Sequence, residues 1–320
     1  MSVSQLHIRR NILATFLYFD VLDMPLTAME VWKVCLDTKR LVGESNQAMQ
    51  PGTVPFFSVL RVLDDMTKKK EIVFEKGMYA LAQRENIIDI RRRSIKISDA
   101  KIREMKKWIA FFRYVPFIRG IIVTGGLSSK VATKKSDWDV LIVAKRGRIW
   151  TARTLMTLMT FLFGKRRYGR HVSDRVCLNH FITNTSLDMR MRDIYSAKEY
   201  IFAFPMTNEK LFLQFLKKNN WIRSFFPLWQ QPGAQHTQCL SENSFGKKTQ
   251  SFFEAMVGWN GIEAWLRSWQ QQKIAKNPKT HLPGSYIFAQ DDALIFLPHP
   301  HGPEVFERFR SKQRYIDKKS

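Results

Sequence analysis

At 320 residues, 45% of them hydrophobic, the chain is long enough for two or three domains with cores of their own. Its 52 Lys and Arg against 28 Asp and Glu leave a net charge of +24, which points to polyanionic partners: nucleic acid, nucleotides or anionic lipid. Cys35, Cys177 and Cys239 are too few and too far apart for a disulfide framework or a CxxC zinc site, and they fit a reducing, cytoplasmic setting.

The N-terminal apolar run is interrupted by charge and is followed by no small-residue cleavage site, so it does not read as a signal peptide. The longest uncharged stretch in the middle, 154–163, falls far short of the ~20 apolar residues of a spanning helix and reads as a buried helix. No stable membrane insertion is expected.

In chain order, residues 9–20 read as a helix with Ile12, Leu13, Phe16, Leu17 and Phe19 apolar. Thr27 opens a second helix over 28–36, with Glu30 at the spacing of a capping box. A polar loop over 41–55 leads to a third helix, 56–69, with Val59, Leu60, Leu63 and Met66 on one face. Two short strands then surround Lys76-Gly77. Three helices followed by a hairpin resemble a winged-helix domain, here residues 1–84. Its third helix shows Ser58, Arg61 and Asp65, which is not a strongly basic recognition face. Protein contacts are as compatible with it as nucleic acid.

Residues 84–115 are helical and charged, with a stripe of Ile95, Ile102, Met105, Trp108, Ile109 and Phe112. The pattern then alternates: strands at 118–124, 137–143 and 175–183, helices at 149–163 and 190–203. From 207 onward the chain reads as helical, with helices over 208–226 and 251–276. Trp259, Trp265 and Trp269 are expected to pack the second of these against the body. The Pro-rich stretch after 277, including His299-Pro300-His301, reads as a peripheral basic tail.

Asp137 and Asp139 carry the clearest chemistry. Two residues apart at the start of a strand, they project to the same side while Trp138 projects to the other. The apolar run Val140–Val143 anchors the strand behind them. Paired carboxylates suit Mg²⁺, which takes oxygen ligands and completes its shell with phosphate oxygens. Gly125-Gly126 follows the strand ending at Thr124, where backbone N–H groups can approach a phosphate closely. Ser128 and Ser129 stand next to it as hydroxyl donors.

A strand, a Gly-Gly or Gly-Ser turn, about ten connecting residues and Asp-x-Asp opening a buried strand together resemble the nucleotidyltransferase superfamily of DNA polymerase beta. The likeness covers roughly residues 95–205. It rests on Thr124-Gly125-Gly126-Leu127-Ser128-Ser129 and Ser136-Asp137-Trp138-Asp139-Val140. Gly147-Arg148-Ile149-Trp150 and Cys177-Leu178-Asn179-His180-Phe181-Ile182 extend it toward bacterial winged-helix nucleotidyltransferase-like proteins of unassigned substrate.

The resemblance implies an α+β chain in three parts: a winged-helix-like domain at 1–84, a nucleotidyltransferase-like domain with a small mixed sheet at 85–206, and a helical region with a peripheral tail at 207–320. It implies that Asp137 and Asp139 bind Mg²⁺ (or Mn²⁺) and are catalytic. Gly125, Gly126 and Ser128 would hold the phosphates of a nucleoside triphosphate. Lys165, Arg166 and Arg167 are candidates for further contacts to an anionic substrate or to RNA. The sequence departs from the family at two points. Many members have Ser at the position of Gly126, and active members carry a third carboxylate on a later strand, where Asn179 stands here. An amide is a poorer Mg²⁺ ligand and no general base. Two functions follow: transfer of a nucleoside monophosphate to an unidentified acceptor, or a degenerate transferase fold serving as a nucleic-acid-binding or regulatory module.

Overall fold

In the computed structural model, the described residues are 3–41, 54–233, 238–241 and 243–317. The polar loop expected over 41–55 lies for the most part outside them. The chain is α+β, with a two-stranded hairpin and a six-stranded mixed sheet.

The N-terminal part contains α1 (Val3–Val21), α2 (Ala28–Lys33), α3 (Thr38–Leu41), α4 (Phe56–Lys68) and the hairpin of β1 (Ile72–Glu75) and β2 (Met78–Leu81). The capping box forms as expected. Thr27 Oγ1 accepts from Glu30 N at 3.3 Å, and the Glu30 carboxylate accepts from Thr27 N at 2.8 Å. Together these satisfy two of the N–H groups that a helix start leaves unpaired. On α4, Val59, Leu63 and Met66 of the expected face are buried, and Val62 is buried with them where Leu60 is only half-buried.

A long helix, α5 (Asn86–Phe112), runs from this part to the sheet. Ile87 and Ile88 pack beside the hairpin, whereas Ile102, Met105, Ile109 and Phe112 pack under the sheet. One amphipathic stripe thus ties the two regions together.

The large sheet has the order β6-β3-β4-β5-β8-β7. Its strands are β3 (Ile118–Val123), β4 (Trp138–Ala144), β5 (Val176–Thr183), β6 (Phe204–Thr207), β7 (Tyr286–Ala289) and β8 (Ala293–Leu297). Only β4 and β5 run parallel. Pro205 is tolerated in β6 because that strand lies at the edge. Between the strands stand α6 (Gly125–Ser128), α7 (Ile149–Leu162), α8 (Ile194–Phe202) and α9 (Glu209–Lys218). After them come α10 (Ser244–Val257), α11 (Asn260–Ala275) and the C-terminal α12 (His301–Asp317).

Alternation along β4 divides the core. Trp138, Val140 and Ile142 face α5 and α7, whereas Leu141 and Val143 join the larger cluster containing residues of α8, α9, α12 and α1. Asp139, in step with Leu141 and Val143, faces that second side.

The C-terminal region differs from the helical reading of 207–320. The stretch after 277 supplies β7 and β8 to the central sheet, and Phe309 of α12 is buried against Tyr18 of α1 with ring centroids 5.6 Å apart. The expected single helix over 251–276 is two helices, broken at Gly258-Trp259. Helix α7 is buried along one side only: Leu158, Phe161 and Leu162 are exposed. Trp259, Trp265 and Trp269 are exposed as well, rather than packed against the body.

Candidate functional site

The start of β4 is fixed from both sides. Trp138 N donates to Arg175 O at 2.8 Å, and Thr124 N donates to Asp139 O at 3.1 Å. With the Trp138 ring fully buried on one face, the carboxylates before and after it emerge together on the other. Cys177 is the register partner of Asp139 on β5. Ligand atoms of Asp137, Asp139 and Cys177 lie within 4.8 Å of one another. The sequence found the two carboxylates; it did not find the thiol, which only the strand register supplies.

The electrostatics are those of a crowded anionic site. Burial, then the charges of Asp137 and Glu199, push the Asp139 carboxyl up to about 7. Burial, then Asp139, push the Cys177 thiol to about 12, so it stays a neutral thiol at ordinary pH. Arg167 supplies the compensating charge. Its Nη1 donates to Asp137 Oδ2 at 2.6 Å and to Cys177 Sγ at 3.2 Å.

The glycine turn abuts the carboxylates. Gly125 opens α6 with φ +70°, and a Cβ built on it would stand 2.9 Å from the Cβ of Asp139. Only glycine lets the backbone come this close. Gly126 also borders the cleft, with no such crowding. Ser128 is placed differently from the reading that gave it a phosphate: it is buried, and its Oγ donates to Gly125 O at 2.9 Å. Ser129 Oγ donates to the same carbonyl at 3.1 Å. Both hydroxyls brace the turn from behind.

The β4–β5 register shifts between Asp139↔Cys177 and Leu141↔His180. That bulge resets the alternation, so Ile182 joins the Leu141 side and Phe181 packs on the Trp138 side. Asn179 lies in the bulge at the cleft wall. His180 beside it has a buried Nε2 with no hydrogen-bond partner, and burial pulls its pKa down to about 4, which keeps the ring neutral.

A further carboxylate comes from α8. Glu199 lines the same cleft, is held by buried Lys198 at 2.9 Å, and contributes to the raised pKa of Asp139. The two aspartates near β5 in sequence are engaged elsewhere. Asp174 pairs with Lys101 at 2.8 Å, and Asp188 with Arg192 at 2.5 Å.

The cleft measures about 1000 Å³ and extends from the glycine turn to the C-terminal strands. The three expected basic contacts separate. Arg167 sits on Asp137, and Arg166 lines the cleft. Lys165 lies behind, its Nζ 4.9 Å and 5.1 Å from the ring centres of Trp108 and Trp138. A cation that the sequence reading missed is Arg153 of α7, whose guanidinium stacks 4.5 Å from the Phe296 ring centre. Burial, then nearby Arg166, lower its pKa to about 10. Among the described residues neither arginine forms an ion pair, and Arg153 Nε is buried without a partner. His299 and His301 also border the cleft, so this segment is part of the wall and not a free tail. No protein family matches the chain, and neither a curated protein nor a solved structure matches it.

Proposed function

We propose that the protein is a divalent-cation-dependent nucleotidyltransferase that moves a nucleoside monophosphate from a nucleoside triphosphate to an acceptor. One observation carries this reading: two carboxylates converge against a glycine turn, at the end of a cleft whose walls carry Arg153 and Arg166, neither with an ion-pair partner among the described residues. The donor set suits Mg²⁺ or Mn²⁺. Asp137 and Asp139 offer oxygens, Asp139 carries a charge that a cation would relieve, and the neutral Cys177 thiol does not compete as a soft ligand. The cation would neutralise phosphate charge and align the attacking and leaving oxygens.

The chain's own groups divide the remaining work. The main chain of Gly125 and Gly126 lies alongside the phosphates. Arg167, half exposed, trades its contact with Asp137 for phosphate oxygens. Arg166 and Arg153 receive anionic groups farther along the cleft. His180, neutral and with a nitrogen free to bond, reads the sugar or the base. Glu199 takes the place of the third carboxylate that the strand position leaves to Asn179, and receives the acceptor's proton or a second cation.

The test is calorimetry with each of the four nucleoside triphosphates, with Mg²⁺ and with chelator. Binding that requires Mg²⁺ and weakens at least about tenfold in Asp137→Asn supports the reading, since one charge-assisted contact is worth about 1.5–3 kcal/mol. Binding indifferent to both defeats it. A second reading has support from Cys177, a thiol where a third ligand converges: the site binds nucleotide without transferring it, and the fold acts as a regulatory or nucleic-acid-binding module. Mg²⁺-dependent binding with no transfer to any acceptor would select it.

Arg153 and Arg166 give a separate prediction. Arg153→Gln and Arg166→Gln each weaken tripolyphosphate binding by about tenfold, whereas Lys165→Gln leaves it unchanged. Fluorescence-monitored competition measures all three, and equal effects would contradict the assignment.

A further inference from the structure

Helix α10 is inverted. Two of its polar side chains, Gln250 and Glu254, face the protein: Gln250 Nε2 donates to Val115 O and Ile118 O, each at 3.0 Å. Glu254 accepts from Arg119 at 2.7 Å and 2.8 Å and from Phe117 N at 2.8 Å. Apart from Val257, its large apolar side chains face out. Phe245, Phe252 and Met256 are seven and eleven residues apart, so they share one helical face, with exposures of 77%, 64% and 64%. Gly258 and Trp259 alone join α10 to α11, which continues the pattern with Trp259 (73% exposed), Trp265 (65%) and Trp269 (46%). A surface helix ordinarily turns such a stripe to the core. On α10 the body is held chiefly by hydrogen bonds and an ion pair, and α11 buries Leu266 with Ile262 and Ile274 beside it, so the outer stripe is surplus to the packing of both helices.

The charges around the stripe say what. Within α10 and α11 the acids are Glu254 and Glu263, and both point inward: Glu263 accepts from Trp150 N at 3.0 Å and Thr151 N at 2.9 Å. The outward charges are basic, with Lys248 exposed and Lys273 lying 5.2 Å from the Trp269 ring centre. A second copy docking by the same face would set these lysines against their own kind. The Trp265 and Trp269 rings lie nearly parallel, at 9° between planes and 6.4 Å between centroids, and add flat apolar area to the same surface. Phe and Met have no groups with which to read a polar partner. Tryptophan, phenylalanine and lysine on a helix surface match the boundary of a bilayer, where rings sit at headgroup level and lysines meet anionic lipid.

We infer that α10 and α11 form a peripheral membrane-docking surface for an anionic lipid bilayer. No helix among the described residues is long and apolar enough to cross a membrane, so contact is by lying in the interface. The cleft would then work beside the bilayer.

Flotation with vesicles of phosphatidylcholine alone, or mixed in equal parts with phosphatidylglycerol, tests this on the full chain. The protein should float with the mixed vesicles, with a blue-shifted tryptophan emission, and at least about tenfold less with the neutral ones. Phe252→Ser/Met256→Ser should cut the binding at least about tenfold with unchanged thermal unfolding. Trp265→Ser/Trp269→Ser serves as an independent pair on α11. Absence of flotation, or flotation equal in both pairs and wild type, overturns the inference. So does a solution dimer, or single-stranded RNA binding, that these substitutions abolish while vesicle binding persists. Nucleotide binding is measured in the same variants, and its loss or survival leaves the lipid result unaffected.

Discussion

Asp139→Asn is expected to stabilise the cation-free protein at pH 8 by on the order of 4 kcal/mol and to change little at pH 4. Burial, then Asp137 and Glu199, raise the folded carboxyl from 3.8 to about 7. The native state therefore holds this proton more tightly than the unfolded chain does. Once the unfolded carboxyl ionises, the native state is at a disadvantage, and the disadvantage grows until the folded group ionises too. Stability falls as pH rises through the window from about 4 to about 7, the reverse of an ion-paired carboxylate with a depressed pKa. An amide carries no charge at any pH and removes this slope. Urea unfolding of wild type and variant from pH 4 to pH 8 measures the difference, and a gap independent of pH would contradict it. Mg²⁺ at pH 8 should close part of the gap by stabilising the wild type alone. In the proposed reaction the same variant is roughly 10²–10³-fold slower. A protein made firmer and less active by one substitution is what a charge kept for a ligand predicts.

That pair was legible because its geometry is local. Two residues apart on any strand share a side, and the buried run after Asp139 announces the strand. What depends on distant parts of the chain was not legible. The bulge between Cys177 and His180, which turns Phe181 to the Trp138 side and Ile182 to the Leu141 side, has no mark in the sequence. Glu199 reaches the site from α8, and nothing in its neighbourhood of sequence marks it. The strands β7 and β8 are short and lie in a Pro-rich stretch that reads as tail, yet they complete the sheet and the cleft wall. The tryptophans of α11 misled for another reason. Apolar spacing says which side chains share a face, but not which face meets the body. On α10, Gln250 and Glu254 had already taken the inward side with specific bonds to Val115, Ile118 and Arg119.

The two glycines of the turn should respond very differently to the same methyl group. Gly125 has φ +70°, a region that L-residues with a side chain avoid, and its added Cβ would lie 2.9 Å from both Cβ and Cγ of Asp139. Backbone strain and collision act together, and the neighbour that must give way is the buried carboxylate itself. Gly125→Ala should cost about 2–4 kcal/mol and abolish Mg²⁺-dependent nucleotide binding, because Asp139 can no longer stand beside Asp137. Gly126 is not in the left-handed region, and the nearest atom to its added Cβ is Val131 Cγ2 at 3.7 Å, an ordinary contact. Gly126→Ala should hold stability or raise it by about 0.4–1 kcal/mol through a stiffer unfolded chain. Gly126→Ser should fold equally well and place a hydroxyl at the cleft. Thermal unfolding and calorimetric nucleotide binding on the three variants decide the matter. Equal costs at the two positions would mean that the turn is held by something other than the approach of Gly125 to Asp139.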